Sequence, residues 1–559
     1  TTLLISDDAS MENAFRHIQE FCNVSSLKLN MSKCEGLWIG AYMARQDKPL
    51  GISWPKTPIK SLGIYFSNRK LQQECELLNW EKKIERLKNT LQIWKCRNLS
   101  LYGKVTVLKF LALSQIIYNM SMILTPTWVI QTVKKEMFAF LWNGKKDKIK
   151  RQVISQPIEL GGLGLTNLEY QKQSLLASWV QRLDKNCLTL EENARWKALP
   201  LLYLNSFGPN NLILHMNFEN ENDGPNLNNI PTFYKQVILS HHRTDKAGGV
   251  KALNIEEQVI WCNENVRSQG KTIFFPQWIK EGIIYVKDLF PRGQFISVNN
   301  YPTLCNRPST LIEHISLFQA IPSSWKTVVK NTLDSDDSPM HLVIQTPNLL
   351  EPTTKLKIQT KSCKALYTAL IQKHAVVPSC QQKWQALFGS DSFEWKKIWK
   401  MLGTTSCKET QIAVFNYKLL QQILPCGEKL NKWKIQDEDG QVVSPICRLC
   451  SSGDIENYKH MFWDCKRLKD FWNSVHTYVP FCPSNPNIDF QEVILGKVTQ
   501  PLRIHDLNRR LQTITIAKWV IFKTWVFLRM NPQATSRQKD LVSIFNWEIK
   551  NRFTSINAL

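Results

Sequence analysis

The sequence predicts an α+β protein that is mostly α. Residues 1–66 change hydrophobic period several times, as a small α/β unit does, whereas from Trp80 onward apolar residues return at three- and four-residue steps. Three cysteines and a histidine between 447 and 465 have the spacing of a small metal-held unit. Length agrees, because 559 residues exceed what one core organises and at roughly 150 residues per domain three or four units are expected. The 43% apolar and 21% charged composition excludes disordered, collagen-like and coiled-coil chains.

In the first unit, residues 1–5 are a β-rich run. Asp7, Asp8 and Ser10 then offer N-caps to a helix that would bury Phe15, Ile18 and Phe21 or Cys22. Two short apolar runs bounded by turn residues follow, Gly36-Leu37-Trp38-Ile39 and Leu62-Gly63-Ile64-Tyr65-Phe66. The expected order is β-α-β-β.

The next segment is helical. Ile84, Leu87, Leu91 and Trp94 mark one face of an amphipathic helix, and Lys82, Lys83, Arg86, Lys88 and Lys95 fall largely on the other. Further helices are expected over 103–118 and 129–142, before the basic run Lys145-Lys146-Asp147-Lys148-Ile149-Lys150-Arg151. Such a run fits either a solvated loop or a polyanion contact, and position decides between them. Residues 205–229, with nine asparagines, and 334–352, rich in Asp, Ser and Pro, are expected as linkers or surface loops. Between and beyond them the pattern stays helical, and most of the 20 tryptophans, spaced helically among Leu, Ile and Phe, are expected in cores.

A formal charge of +24 raises the local concentration of polyanions, which makes nucleic acid the first partner to consider. Fifteen cysteines, odd in number and scattered, suit a reducing compartment rather than a disulfide framework. The apolar stretches 111–130 and 514–530 are interrupted by polar or charged residues, so no membrane span is expected.

The sharpest chemical signal is Cys447-x2-Cys450, nine residues, then His460-x4-Cys465. Three thiolates and one imidazole make a closed tetrahedral shell for zinc, with no position left for a reactive water, so the ion would be structural. On a regular α-helix His460 and Cys465 would lie about 140° apart, which requires one of them at a helix end.

The residues resemble the C-terminal half of a LINE-type (non-LTR) retrotransposon reverse transcriptase polyprotein. Thr1 to Ser6 is similar to the strand after the Asp-Asp box, Leu27 to Glu35 to polymerase motif D, and Ser61 to Phe66 to motif E, the primer grip. Asn98 to Val105 resembles the thumb signature, and Phe140-Leu141-Trp142 with Gly161 to Leu165 the segment after it. The metal cluster with Glu456, Phe462, Trp472 and the preceding Trp433 is similar to the reverse-transcriptase zinc-binding domain. A weaker likeness runs through Ile260-Trp261 and Gly282-Ile283 to Asp288-Leu289.

The resemblance implies a palm remnant at 1–70, a thumb with adjoining helices at 71–185, a largely helical middle region at 186–405, the zinc-binding domain at 406–480 and a helical tail at 481–559. It implies RNA and DNA as partners (template RNA, RNA–DNA duplex, target DNA), with the chain's own polymerase and endonuclease regions upstream if a longer chain exists. It further implies an intracellular place in nucleus and cytoplasm. Two-metal nucleotidyl transfer needs carboxylates from two strands, and the alignment puts these before Thr1. Magnesium is therefore expected in the intact polymerase and not here, Asp7-Asp8 is expected to cap a helix, and the fragment alone is expected to be inactive. Lys33 matches the motif D lysine, an auxiliary group. Contacts to the nucleic-acid backbone are expected from Lys82, Lys83, Arg86, Lys88, Lys104, Lys145, Lys146, Lys148, Lys150 and Arg151. A reading from another class is a domesticated or adventitious zinc module that binds protein, which salt dependence separates from the first.

Overall fold

The computed structural model describes the chain apart from residues 1, 69–71, 185–194, 217, 219–220, 248–254, 306, 334–361, 391, 405–408, 438–439, 451, 481–486, 497–502, 532–539 and 558–559. The chain is α+β and mostly α. Among the described residues the β-structure is two two-stranded antiparallel hairpins and a few isolated bridges. Contacts divide the chain into two units, Thr1–Arg97 with Val107–Met137, and Asn98–Thr106 with Phe138–Leu559.

In the first unit Asp7 is the N-cap of the Asp8–Ser25 helix, its carboxylate accepting from the Ser10 amide at 2.7 Å. That helix buries Met11 but not the expected face: Phe15 and Ile18 are half-buried and Phe21 is 62% exposed. The reason is that no sheet forms beneath it. Residues 2–5 join no ladder, and 36–39 do not form a strand, because Gly36 lies flat against the Trp54 ring and Gly40 turns with φ 61°. In place of the strand stands an aromatic stack. Trp38 and Trp54 lie 4.1 Å apart and nearly parallel, Arg45 covers Trp38 at 4.2 Å, and Arg45 pairs with Asp8 and Asp47.

Of the run 62–66 only Ile64–Phe66 is a strand: it is β2, paired antiparallel with β1 (Ile59–Ser61), while Leu62 and Gly63, both at positive φ, make the turn between them. The dock of this hairpin is the helix Gln72–Lys95, which buries Trp80, Ile84, Leu87 and Leu91 as the spacing predicts. Asn79 of that helix is buried and clamps the hairpin, its side chain accepting from the Tyr65 amide (2.8 Å) and donating to the Tyr65 carbonyl (2.9 Å). Asn119 in turn donates to the Asn79 carbonyl. The helix expected over 103–118 is broken. Leu101–Val107 passes through a π turn, Leu108–Ala112, into Ser114–Met122.

In the second unit, Trp261 and Trp278 centre a core that draws in residues from Leu176 to Val329. The segments around Ile260 and Ile283 meet here, Ile260 donating to the Ile284 carbonyl and Trp261 Nε1 to the Ile283 carbonyl. The asparagine-rich stretch 205–229 is irregular but not a solvated linker: Leu212, Ile213, Leu214, Met216, Phe218 and Leu227 are buried in this core. Asparagine side chains satisfy its turns, Asn205 accepting from the Asn211 amide and Asn226 from the Asn228 amide. The loop expected at 334–352 lies outside the described residues.

The Gly161 to Leu165 run shows why glycine stands where it does. A Cβ on Gly162 would lie 1.8 Å from the Gln156 carbonyl oxygen. The turn this permits lets Leu163 and Leu165 both donate to the Ile154 carbonyl, and lets the Gly161 carbonyl accept from Tyr417 and Gln421 of the C-terminal helices.

The helix Ile504–Met530 is long and apolar enough to cross a membrane, yet 67% of its most apolar stretch is buried inside this protein. Arg510 on it makes a buried bidentate pair with Glu492. It is the core helix of the C-terminal region.

Candidate metal centre and basic surfaces

Cys447, Cys450, His460 and Cys465 converge so that their four ligand atoms all lie within 4.8 Å of one another. Among the described residues this is the group of Cys, His, Asp and Glu side chains that could hold a metal ion. Each ligand is set by local structure. Cys447 leaves the Ile446–Ile455 bridge and donates its amide to the Asp454 carbonyl. The next three residues turn to bring Cys450 back, and the Leu449 amide points at the Cys447 sulfur at 3.4 Å.

His460 opens a π turn, His460–Asp464, in which the Cys465 amide bonds the His460 carbonyl. Closing after five residues instead of four carries Cys465 round toward His460, and Cys465 itself is extended (φ −61°, ψ 127°). One ligand therefore sits at a helix end, as the spacing requires. His460 Nε2 lies 3.4 Å from Cys450 Sγ, and Ser452 Oγ lies 2.8 Å from the same sulfur. The Cys465 thiol, donating to Cys447, draws the Cys447 thiol down to about 7, while that same bond and burial push Cys465 up. A soft donor set of four, three of them buried, fits one closed-shell metal ion.

The surroundings bind this loop to the rest of the unit. Glu456 is buried, and one carboxylate oxygen accepts from the Gly427 amide, Trp525 Nε1 and Arg529 Nη2. Arg529 also donates to the Ser444 and Ile446 carbonyls. Tyr458, Met461, Phe462, Leu468, Phe471 and Trp472 are buried, and Trp472 donates to the Phe462 carbonyl. Trp433, by contrast, is 46% exposed.

The basic residues sort into three kinds. Lys82, Arg86 and Lys88 are exposed and Lys83 half-exposed on Gln72–Lys95, and among the described residues none of the four makes an ion pair. Lys145, Lys146, Lys148 and Lys150 are exposed on the loop after Thr127–Trp142, while Arg151 begins the short helix Arg151–Ser155, pairs with Asp147 and covers the Phe138 ring. Lys33 is exposed in a 3-10 turn, Met31–Lys33.

Lys104 corrects the expectation made for it. It is 8% exposed, and its ammonium donates to the Phe140 and Leu141 carbonyls and to Asn143 Oδ1. Those carbonyls stand in the last turn of the Thr127–Trp142 helix, where intrahelical donors run out and a cation also meets the negative end of the helix dipole. Lys104 is a helix C-cap and has no donor left for a phosphate. Replacing it with Met is expected to cost roughly 1 to 3 kcal/mol of stability, read by denaturant unfolding, because the carbonyls lose a charged donor.

No family model matches the chain. Two curated relatives do. The chain is 26% identical over 244 residues, 42% of its length, to the Transposon TX1 uncharacterized 149 kDa protein of Xenopus laevis. It is 26% identical over 125 residues, 21% of its length, to a putative ribonuclease H protein of Arabidopsis thaliana. These matches cover 18% and 20% of the relatives' own lengths. The relatives agree with the LINE-type retroelement resemblance of the sequence.

Proposed function

We propose that this chain is the nucleic-acid-binding C-terminal portion of a LINE-type reverse transcriptase, acting in target-primed reverse transcription with RNA, RNA–DNA duplex and target DNA as partners. The observation that carries the reading is the Gln72–Lys95 helix. It spends its apolar face on the core and the β1–β2 hairpin and holds Lys82, Lys83, Arg86 and Lys88 outward without ion-pair partners. Cations so placed release the counterions of a phosphate backbone. Asp7 and Asp8 are committed to capping and to Arg45, so the reading assigns this segment no catalytic carboxylate of its own. Cys447, Cys450, His460 and Cys465 hold one structural zinc, which keeps the adjoining Lys459, Lys466 and Arg467 in place; magnesium belongs to the intact polymerase.

The test is the salt dependence of binding to an RNA–DNA duplex, followed by fluorescence anisotropy. Replacing Lys82, Lys83, Arg86 and Lys88 together with Ala is expected to weaken binding and to reduce the slope of log K against log salt by about 0.7 to 0.9 per lost phosphate contact. An unchanged slope assigns these residues to a solvated face. Binding insensitive to salt would favour the protein-binding module instead.

A further inference from the structure

We propose that Asp454 orients the metal ligands from outside the ligand set: its carboxylate fixes His460 as an Nε2 ligand and, through Ser452, restrains Cys450. The proposal rests on the zinc reading above and adds to it a residue that is not a ligand and that no cysteine or histidine spacing marks. Asp454 stands in the return arm of the loop that carries Cys447 and Cys450. A turn through Gly453 at φ 80°, a conformation that favours glycine, delivers it there. The Ile446–Ile455 bridge and the Glu456 amide on the Pro445 carbonyl hold that arm against the one that carries Cys447.

From this position Asp454 acts on three of the four ligands. Its carbonyl accepts from the Cys447 amide at 3.0 Å. Its Oδ2 accepts from Ser452 Oγ, and that Oγ lies 2.8 Å from Cys450 Sγ. The same Oδ2 stands 3.9 Å from His460 Nδ1, an electrostatic contact longer than a hydrogen bond. His460 thus presents its two nitrogens to different neighbours. Nε2 lies among the donors, 3.4 Å from Cys450 Sγ, and Nδ1 faces the carboxylate. A neutral imidazole that gives one nitrogen to a metal keeps its proton on the other. A carboxylate beside that N–H holds the ring in this tautomer and strengthens the ligating nitrogen as a base. The His460 ring is buried, whereas the Asp454 side chain is 52% exposed, so the carboxylate stays hydrated and its loss takes little from the core. Its effect falls on the ligands.

The experiment measures the zinc affinity of the full chain by competition with a chromophoric chelator, beside thermal unfolding of the zinc-stripped chain. Asp454→Ala is expected to weaken zinc binding by roughly 10- to 100-fold and to leave the midpoint of the stripped chain unchanged. Asp454→Asn keeps the size and an acceptor for Ser452 but not the charge, and is expected to stay weak for zinc. Asp464→Ala removes the same charge from a carboxylate that pairs with Lys459, and is expected to keep the wild-type affinity. Wild-type affinity in Asp454→Ala overturns the proposal. Full affinity in Asp454→Asn overturns it too, by reducing Asp454 to a shape or hydrogen-bonding role. Equal losses in Asp454→Ala and Asp464→Ala reduce the effect to net charge and overturn it as well. A wild type that takes up no zinc defeats the zinc reading and the proposal with it, whereas a wild type that binds zinc no better than Asp454→Ala defeats the proposal alone.

Discussion

In a Cys450→Ser variant, elemental analysis is expected to find no bound zinc, against one ion per chain in the wild type. Four donors within 4.8 Å form a closed shell, and losing one thiolate leaves three protein ligands and a water, a much weaker hold on the ion. In short peptides a structural zinc supplies about 10 to 16 kcal/mol of apparent folding free energy. From the spacing alone, the whole segment from about 440 to 475 would depend on the ion. The structure narrows that expectation. The helix Leu468–His476 buries Leu468, Phe471, Trp472 and Val475, and Glu456 is held by Gly427, Trp525 and Arg529, so apolar packing and the buried carboxylate retain the second half without metal. New protease cuts are therefore expected within 444–456 and not within 468–476. Cys426→Ser is expected to keep its ion, because Cys426 is outside the donor group. One zinc per chain in both wild type and Cys450→Ser would refute the ligand set.

Lys518→Met is expected to stabilise the protein by about 4 kcal/mol at pH 7. Lys518 is 6% exposed on the inner face of Ile504–Met530, beside a cavity of about 30 Å³ lined by Asn416, Leu419, Leu420 and Thr515. Burial lowers its amine from 10.5 to about 7, and neighbouring Glu492 is already committed to Arg510. The sign follows from linkage. Above pH 10.5 the amine is neutral in both states and costs nothing. As pH falls from 10.5 toward 7 only the unfolded chain gains the proton, so stability is lost across that window, and below 7 the loss levels off. Methionine has similar length and no charge. Denaturant unfolding from pH 7 to 10 should show wild-type stability rising relative to Lys518→Met, with the gap closing toward pH 10. Parallel curves would mean that Lys518 is protonated in the folded state.

The sequence by itself determined the features that depend on local chemistry. The Asp7 cap, the apolar face of Gln72–Lys95, the strand at 64–66 and the four Cys and His residues that could hold one metal ion were legible because each needs only a few neighbouring residues of the right type at the right step. Even the requirement for a helix end between His460 and Cys465 followed from helix geometry, although not the π turn that meets it. Tertiary structure decided what depends on distant partners. A strand at 36–39 needs a neighbour to pair with and found instead the Trp54 ring against Gly36. The asparagines of 205–229 suggest solvent, but Leu212, Ile213 and Leu214 among them met a core built from residues as far away as Val329. Burial also sets the fate of each cation, and burial is not local. Lys104 and Lys148 are the same residue type with the same intrinsic charge. One became a helix cap and one stayed in water, because long-range packing alone determines how much water and how many carbonyls each ammonium keeps.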